Sequence, residues 1–362
     1  MVELDFQGID DPRQSARVSV AEQALGSGAQ GSVYRASIHG IDGYCVKVLA
    51  GVAAGEVRNE VAMFQRLRLR TKAQLANPGV QGALRENAEA LQRYLPDYVA
   101  FGKLPGYNRA EFLLARSYCP GVPLHEVLQD PAFENRDAFW RITLARKICR
   151  LMVAMELFGI AHLDAYPDNI LVENPHDLKT MRVAMIDLEG VGVLAHAGEE
   201  SNDRHRWRDE FERSPRSFSK DDFWALPWWF PVPGKSRALS DWFVHAARYQ
   251  MLSLVTLTLT WGSTPGCWLN QEALHELQTY AEQLRATGGE PTEIDRQVMA
   301  SCVESSQIDT DVMYEFTARC GNPALARQLM SWFTAGFIGP AGRSWHWFAG
   351  RELQNALNEA RV

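Results

Sequence analysis

The sequence predicts an α+β chain of two lobes, a small antiparallel β-rich one followed by a larger, mainly helical one. Three observations carry that expectation. Short alternating runs punctuated by glycine fill residues 23–50, as in hairpins. Apolar residues then recur at helical spacing over 56–69, 140–158, 241–262, 271–286 and 324–338. All eleven tryptophans fall at or after Trp140, so the composition changes well inside the chain. Strands first and helices later is the order of segregated β and α layers.

Composition sets the outer limits. With 362 residues, 46% of them hydrophobic and 22% charged, the chain is long enough for two lobes sharing a cleft. A formal charge of −7 argues against a broad nucleic-acid or anionic-membrane surface, so neither partner is expected. Cys45, Cys119, Cys149, Cys267, Cys302 and Cys320 lie far apart, with no C-x-x-C pair, and read as reduced, mostly buried thiols. The start, MVELDFQGID, has neither a cationic nor an apolar leader region, which favours a cytoplasmic protein. The most apolar run, MLSLVTLTLTWG at 251–262, is too short to span a bilayer and reads as a core helix.

Taken in chain order, the first chemistry-bearing element is LGSGAQGSVYRA at 25–36, where Gly26, Gly28 and Gly31 form G-x-G-x-x-G and Val33 follows two residues later. A dinucleotide fingerprint of this spacing opens into a helix, whereas SVYRASI reads as a second strand. A glycine hairpin between two strands can fold over phosphates, its bare backbone approaching where side chains would obstruct. Sixteen residues beyond Gly31 comes Lys47, in the strand-like GYCVKVLA. A lysine among apolar residues is an edge-strand gatekeeper or a buried cation awaiting an anion. In GEVRNEVAMFQRL, Val57, Val61, Phe64 and Leu67 make a helical stripe with Glu60 beside it. Glu60 is the expected partner of Lys47, and Glu56, one turn earlier, is its competitor.

The stretch AHLDAYPDNILV at 161–172 places Asp164 and Asn169 five positions apart around Pro167, before an Ile-Leu-Val run that reads as a strand leaving a tight loop. Asp, Asn and Pro are ordinary turn residues. The same spacing also suits a proton acceptor and a metal ligand aimed at one point. Farther on, VAMIDLEGVGV at 183–193 ends an apolar strand in Asp187. An acid there can cap a turn. Beside Asn169 it would supply a second hard oxygen ligand of the kind Mg²⁺ takes, with phosphate and water completing the shell.

The glycine loop, strand lysine, helix glutamate, HLDAYPDNILV and IDLEG, in this order, resemble the signature set of the eukaryotic-like protein kinase superfamily. The resemblance covers about residues 23–355. It implies a bilobal protein-kinase-like fold: an extension over 1–22, an N-lobe over 23–116, a hinge at 117–121, and a C-lobe over 122–358 with a long activation-segment-like region at 194–235. It implies ATP and Mg²⁺ as cofactors. Gly26, Gly28, Gly31 and Val33 would cover the nucleotide, Lys47 would hold its α/β-phosphates and Glu60 would hold Lys47. Asp164 would be the catalytic base, with Asn169 and Asp187 as metal ligands. Tyr118 and Cys119 match the hinge that receives adenine. Asp241 would support the catalytic loop, Phe64, Leu188 and His162 would join the lobes as an apolar column, and Pro340 and Arg343 match the family's late Pro…Arg pattern.

The chain also departs from that family. Leu163 stands where an arginine normally precedes the catalytic Asp, Tyr166 where serine/threonine kinases carry a lysine, and Asp187-Leu188-Glu189 where Asp-Phe-Gly is usual. Val232-Pro233-Gly234 replaces Ala-Pro-Glu, and Arg116 occupies the gatekeeper position. Three readings follow: an atypical serine/threonine protein kinase acting on a protein substrate, a small-molecule kinase of the aminoglycoside-phosphotransferase type, and a nucleotide-binding pseudokinase. The glycine triplet and late helices favour the first, Tyr166 and Glu189 the second. Retention of Lys47, Asp164, Asn169 and Asp187 counts against the third. Residues 204–220, with Ser214, Ser217 and Ser219 among mixed charges, read as a solvated loop or a docking and phosphorylation segment.

Overall fold

The computed structural model describes residues 2–8, 15–28, 31–49, 64, 67–69, 71–94, 98–103, 112–158, 160–162, 164–187, 191–193, 239–260, 279, 310–338 and 350–360. Mixed α and β structure is present, with a curled antiparallel sheet and separate helices. The chain divides into two compact units. One is built from Met1–Gly121 with Ala184–Val191, the other from Val122–Val183 and the helices from Leu239 onward.

The first unit is a closed antiparallel barrel of β1 (Val2–Gly8), β2 (Ser15–Gly28), β3 (Gly31–Ile38), β4 (Ile41–Leu49), β5 (Tyr98–Lys103) and β6 (Phe112–Ser117), in the order β1-β2-β3-β4-β6-β5. Its interior follows from a period of two. Leu4 lies opposite Val18, Val18 opposite Ile38, and Val46 opposite Ala115, and these residues with Phe6, Val20, Ala36 and Leu113 form one buried cluster. Closure comes from β1, which pairs with β2 on one side and with β5 on the other through Gln7 and Phe101. The segment 1–22, expected as an extension ahead of the lobe, therefore supplies β1 and half of β2. The reason lies in the alternation of Val2, Leu4 and Phe6 with Glu3 and Asp5, which buries Leu4 and Phe6 and leaves the acids exposed. Joining both edges removes the unpaired donors and acceptors that an open sheet would present. A helix, α1 (Ala83–Tyr94), precedes β5 and buries Asn87, Ala88, Ala90 and Leu91.

The second unit begins with β7 (Val122–Pro123), α2 (Leu124–Gln129), α3 (Pro131–Glu134) and α4 (Ala138–Leu157). Helix α4 starts where the Asp137 carboxylate accepts from the Trp140 backbone N–H at 2.8 Å. Trp140 is 2% exposed and its indole N–H donates to the Pro175 carbonyl at 2.9 Å, so the buried polar edge of the ring is satisfied. Strands β8 (Ile160–His162), β9 (Ile170–Glu173), β10 (Arg182–Met185) and β11 (Val191–Val193) form small sheets in the orders β10-β9-β7 and β11-β8. They carry the loop between β8 and β9.

Four further helices are described in the unit: α5 (Leu239–Thr260), α6 (Thr310–Cys320), α7 (Pro323–Ile338) and α8 (Gly350–Glu359). Residues 247–260 of α5 are buried throughout, as expected of a core helix. Thr258 and Thr260 return their hydroxyls to the carbonyls of Leu254 and Thr256, both at 2.8 Å, which is how a polar side chain is tolerated there. Arg248 donates its Nε–H to the Glu156 carboxylate on α4 at 3.1–3.2 Å. Helix α8 packs close enough that a Cβ on Gly350 would stand 3.0 Å from Val153 Cγ2 and 3.1 Å from Met251 Cε. Cys45, Cys149 and Cys320 are buried free thiols, and burial pushes the Cys320 thiol up to about 11. No described helix is long and apolar enough to cross a membrane.

Candidate functional site

In the barrel unit, the glycine triplet lies on the β2–β3 hairpin, with Gly28 opposite Gly31. The triplet therefore joins two strands and opens no helix. The glycines differ in what requires them. A Cβ on Gly31 would fall 1.9 Å from the Val48 carbonyl oxygen, so the approach of β3 to β4 alone demands glycine there. A Cβ on Gly26 would meet no described atom within 4 Å, and packing does not account for that glycine. The hydroxyls of Ser27 and Ser32 meet across the hairpin at 2.8 Å.

Register places the remaining groups. Directly opposite residues share a face, and the pairs Gly31↔Leu49, Val33↔Lys47↔Leu114 and Arg35↔Cys45↔Arg116 form successive rows across β3, β4 and β6. These side chains alternate with Tyr34, Val46 and Ala115 of the interior cluster, so the rows occupy the outer face of the barrel wall. On that face Lys47 is 6% exposed and Arg116 5%. Tyr118 follows β6, its backbone N–H donating to the Gly43 carbonyl at 2.6 Å, and the Arg35 guanidinium lies 5.5 Å from the centre of its ring. Cys119 beside it is partly buried.

Lys47 forms an ion pair with Asp187, 140 residues away in sequence. Asp187 follows β10 at φ 65°, the left-handed region that Asp tolerates better than most non-glycine residues. The ammonium thus has a described carboxylate partner in Asp187, which the segment after β10 carries into the barrel unit. Glu60 and Glu56 lie outside the described residues, as do Leu188, Glu189, Pro340, Arg343 and residues 194–235.

The second unit holds the other predicted pair. The Asn169 amide donates to the Asp164 carbonyl at 2.9 Å and to its Oδ2 at 3.1 Å, so the two residues meet. The backbone explains how. Tyr166 N–H donates to the Asp164 carbonyl at 2.8 Å and Asn169 N–H to the Tyr166 carbonyl at 2.9 Å, folding Pro167–Asn169 into a 3-10 turn with proline at its start. The NH₂ makes both of these bonds, and the amide oxygen of the same side chain is a hard donor atom. Each in its own unit, Asp187 offers a carboxylate and Asn169 an amide oxygen, both donor types that Mg²⁺ takes.

Three residues of this neighbourhood were not singled out as site residues from sequence. His162, 2% exposed, accepts the Asp164 N–H on Nδ1 at 3.2 Å. Gln250 of α5, fully buried, accepts the Ala165 N–H on Oε1 at 3.3 Å. Successive backbone donors of the loop are therefore held by buried side chains. His125 of α2 pairs with Asp168 inside the 3-10 turn. The signal for Gln250 was its placement in an otherwise apolar run, and His125 gave none. Asp241 was expected to support this loop; it lies in α5, its side chain outside the described residues, and the described support from that helix is Gln250.

No family model matches the chain, and no curated protein matches it. Among solved structures, the chain is similar to "Titin kinase and its flanking domains" at 12% identity and a TM-score of 0.48. That superposition covers 95% of this chain and 48% of the other, so the chain spans about half the length of the structure it matches.

Proposed function

We propose that the protein is an ATP-dependent phosphotransferase, an atypical serine/threonine protein kinase that moves the γ-phosphate of a Mg-bound nucleotide to a protein hydroxyl. The observation that carries the reading is the Lys47–Asp187 pair. A buried cation is costly without an anion, and these two groups come together from distant parts of the sequence on the face that also carries the glycine hairpin.

The chemistry assigns each residue one task. Lys47 neutralises phosphate charge, Gly26, Gly28, Gly31 and Val33 line the nucleotide, and Tyr118 and Cys119 meet its base. Glu60 holds the Lys47 ammonium. Asp187 and Asn169 would hold Mg²⁺, which would supply positive charge to the phosphates. Asp164 orients the acceptor hydroxyl and takes its proton as the oxygen bonds to the γ-phosphorus. The bond to the β,γ-bridging oxygen breaks, and ADP leaves with that electron pair.

A second reading, a small-molecule kinase, is favoured by Tyr166. Two residues beyond Asp164 it is 42% exposed, a flat apolar ring where a basic side chain would steer a peptide substrate. Incubation with Mg²⁺ and γ-labelled ATP, in the presence of protein or small-molecule extracts, separates the readings. Label on protein supports the first and label in the small-molecule fraction the second. Nucleotide binding without label in either leaves a pseudokinase.

A further inference from the structure

We infer that His125 is a positioning residue for phosphoryl transfer: paired with Asp168, it holds the 3-10 turn from which Asn169 meets the Asp164 carboxylate. This deepens the phosphotransferase reading and rests on it.

The placement begins with two strands. β7 pairs antiparallel with β9, Val122 opposite Val172 and Pro123 opposite Leu171. The chain leaves Pro123 straight into α2 and enters β9 straight from the 3-10 turn, so the same register carried on lays the start of α2 beside residues 167–169. Leu124, Val127 and Leu128 form the buried stripe of α2. His125 stands next to that stripe and meets the Asp168 carboxylate with Nδ1. A carboxylate oxygen only accepts, so Nδ1 carries the proton in this pair. The other ring nitrogen, Nε2, lies 4.0 Å from the Glu126 carboxylate of the same helix.

The loop is then held at both ends. His162 and Gln250 accept the N–H groups of Asp164 and Ala165 at its start. At its close, Pro167 opens the 3-10 turn and the Tyr166 side chain makes no capping bond to it, so the described side-chain hold on the turn from another element is the one on Asp168. Asn169 follows directly, and its amide donates to Asp164 Oδ2 at 3.1 Å. A shift of the turn therefore moves a donor on the proposed base. The His125 side chain is 38% exposed and that of Asp168 56%, and an ion pair so open to water adds little to global stability. Its effect is local, on the aim of Asp164.

Steady-state hydrolysis of Mg·ATP by the full chain, with hydrogen exchange at the Asn169 backbone amide, tests this. His125→Ala should lower kcat about two- to fivefold, the size expected of an exposed ion pair, and leave the KM for Mg·ATP within about twofold. Exchange at Asn169 should quicken. Asp168→Asn should do the same, and the double variant should lose no more than either alone. Two amides then separate aim from bulk. Asparagine can set its NH₂ where Nδ1 stands, glutamine where Nε2 stands, so His125→Asn should recover most of kcat and His125→Gln little. An unaltered kcat in His125→Ala overturns the inference and keeps the phosphotransferase reading. A loss expressed in KM alone, or equal recovery by the two amides, also overturns it. An unaltered chain that does not hydrolyse Mg·ATP overturns both. Asp168→Asn, which removes only a charge, decides the matter if His125→Ala does not fold.

Discussion

The two units hold their candidate residues by different physics. In the barrel, Val33, Lys47 and Arg116 are placed by strand register, and each position follows from its neighbours by a period of two. In the helical unit, Asp164 and Asn169 sit on a loop whose backbone donors are held by His162 and by Gln250, the latter 85 residues away from the bond it accepts. Register fixes where a side chain stands but does little for the timing of proton transfer. A loop aimed by buried side chains fixes an angle. Damage to the first unit should therefore appear in nucleotide affinity, and damage to the second in turnover.

The largest expected effect tests the second half of that contrast. Asp164→Asn keeps the size of the side chain and removes the proton acceptor. It should reduce kcat by about a hundredfold to ten-thousandfold, the usual cost of losing a general base. Mg-nucleotide affinity should remain within about twofold, measured by calorimetry. A turnover equal to that of the unaltered chain would remove Asp164 from the mechanism.

Next comes the ion pair. Asp187→Ala takes the described carboxylate partner from a lysine that is 6% exposed, so nucleotide affinity and stability should fall together. One charged hydrogen bond is worth about 1.5–3 kcal/mol, which is roughly ten- to more than a hundredfold in affinity. The double variant Lys47→Met/Asp187→Leu buries no charge at that position. It should regain much of the melting temperature and none of the binding, which separates the structural part of the pair from its ligand-holding part.

The same contrast explains what was legible in the sequence. Helices α4, α5 and α7 stand within two residues of the predicted spans, because long apolar periodicity survives any tertiary arrangement. The glycine hairpin was readable from the strand-like residues after Gly31. Strand β1 was missed although Val2, Leu4 and Phe6 alternate cleanly, since nothing local says that this run closes a barrel by pairing with β5. The partner that Lys47 takes from Asp187 was missed for a related reason. Helical spacing nominated Glu60, which lies outside the described residues, and no local spacing nominates Asp187, whose carboxylate arrives through a chain path of 140 residues. Spacing reports neighbours along the chain, and partners across the fold leave only a residue type out of place, as with Gln250.

Gln250 gives the third prediction. Gln250→Met preserves length and removes the acceptor of the Ala165 N–H, one neutral hydrogen bond worth about 0.5–1.5 kcal/mol. If the loop's aim is what the bond supplies, kcat should fall about two- to tenfold with nucleotide KM unchanged. Gln250→Glu, which still offers an oxygen, should lose less. A change in KM alone would mean that the glutamine supports packing of α5 and not the direction of Asp164.

The smallest effect on activity should come from a residue as well connected as any in the helical unit. Arg146 of α4 donates its Nε–H to the Leu357 carbonyl at 2.6 Å and Nη2–H to the Ala360 carbonyl at 2.9 Å, with Asn358 at 3.4 Å. Leu357 and Asn358 stand in the last turn of α8 and Ala360 directly follows it, where carbonyls have no partner within the helix. A guanidinium there satisfies several of them at once and complements the negative end of the helix. Burial holds its pKa below the usual value, yet arginine stays protonated at any pH the fold survives, so the contact is pH-independent. Arg146→Ala should cost about 1–3 kcal/mol and lower the melting temperature by several degrees. Arg146→Lys should recover little, because one ammonium lacks the fork that spans neighbouring carbonyls. Turnover below the melting range should be unaltered in both, since the described bonds of Arg146 all go to the end of α8. A parallel loss of kcat would show that α8 governs the position of the loop, and the division between affinity and turnover would then need a third region.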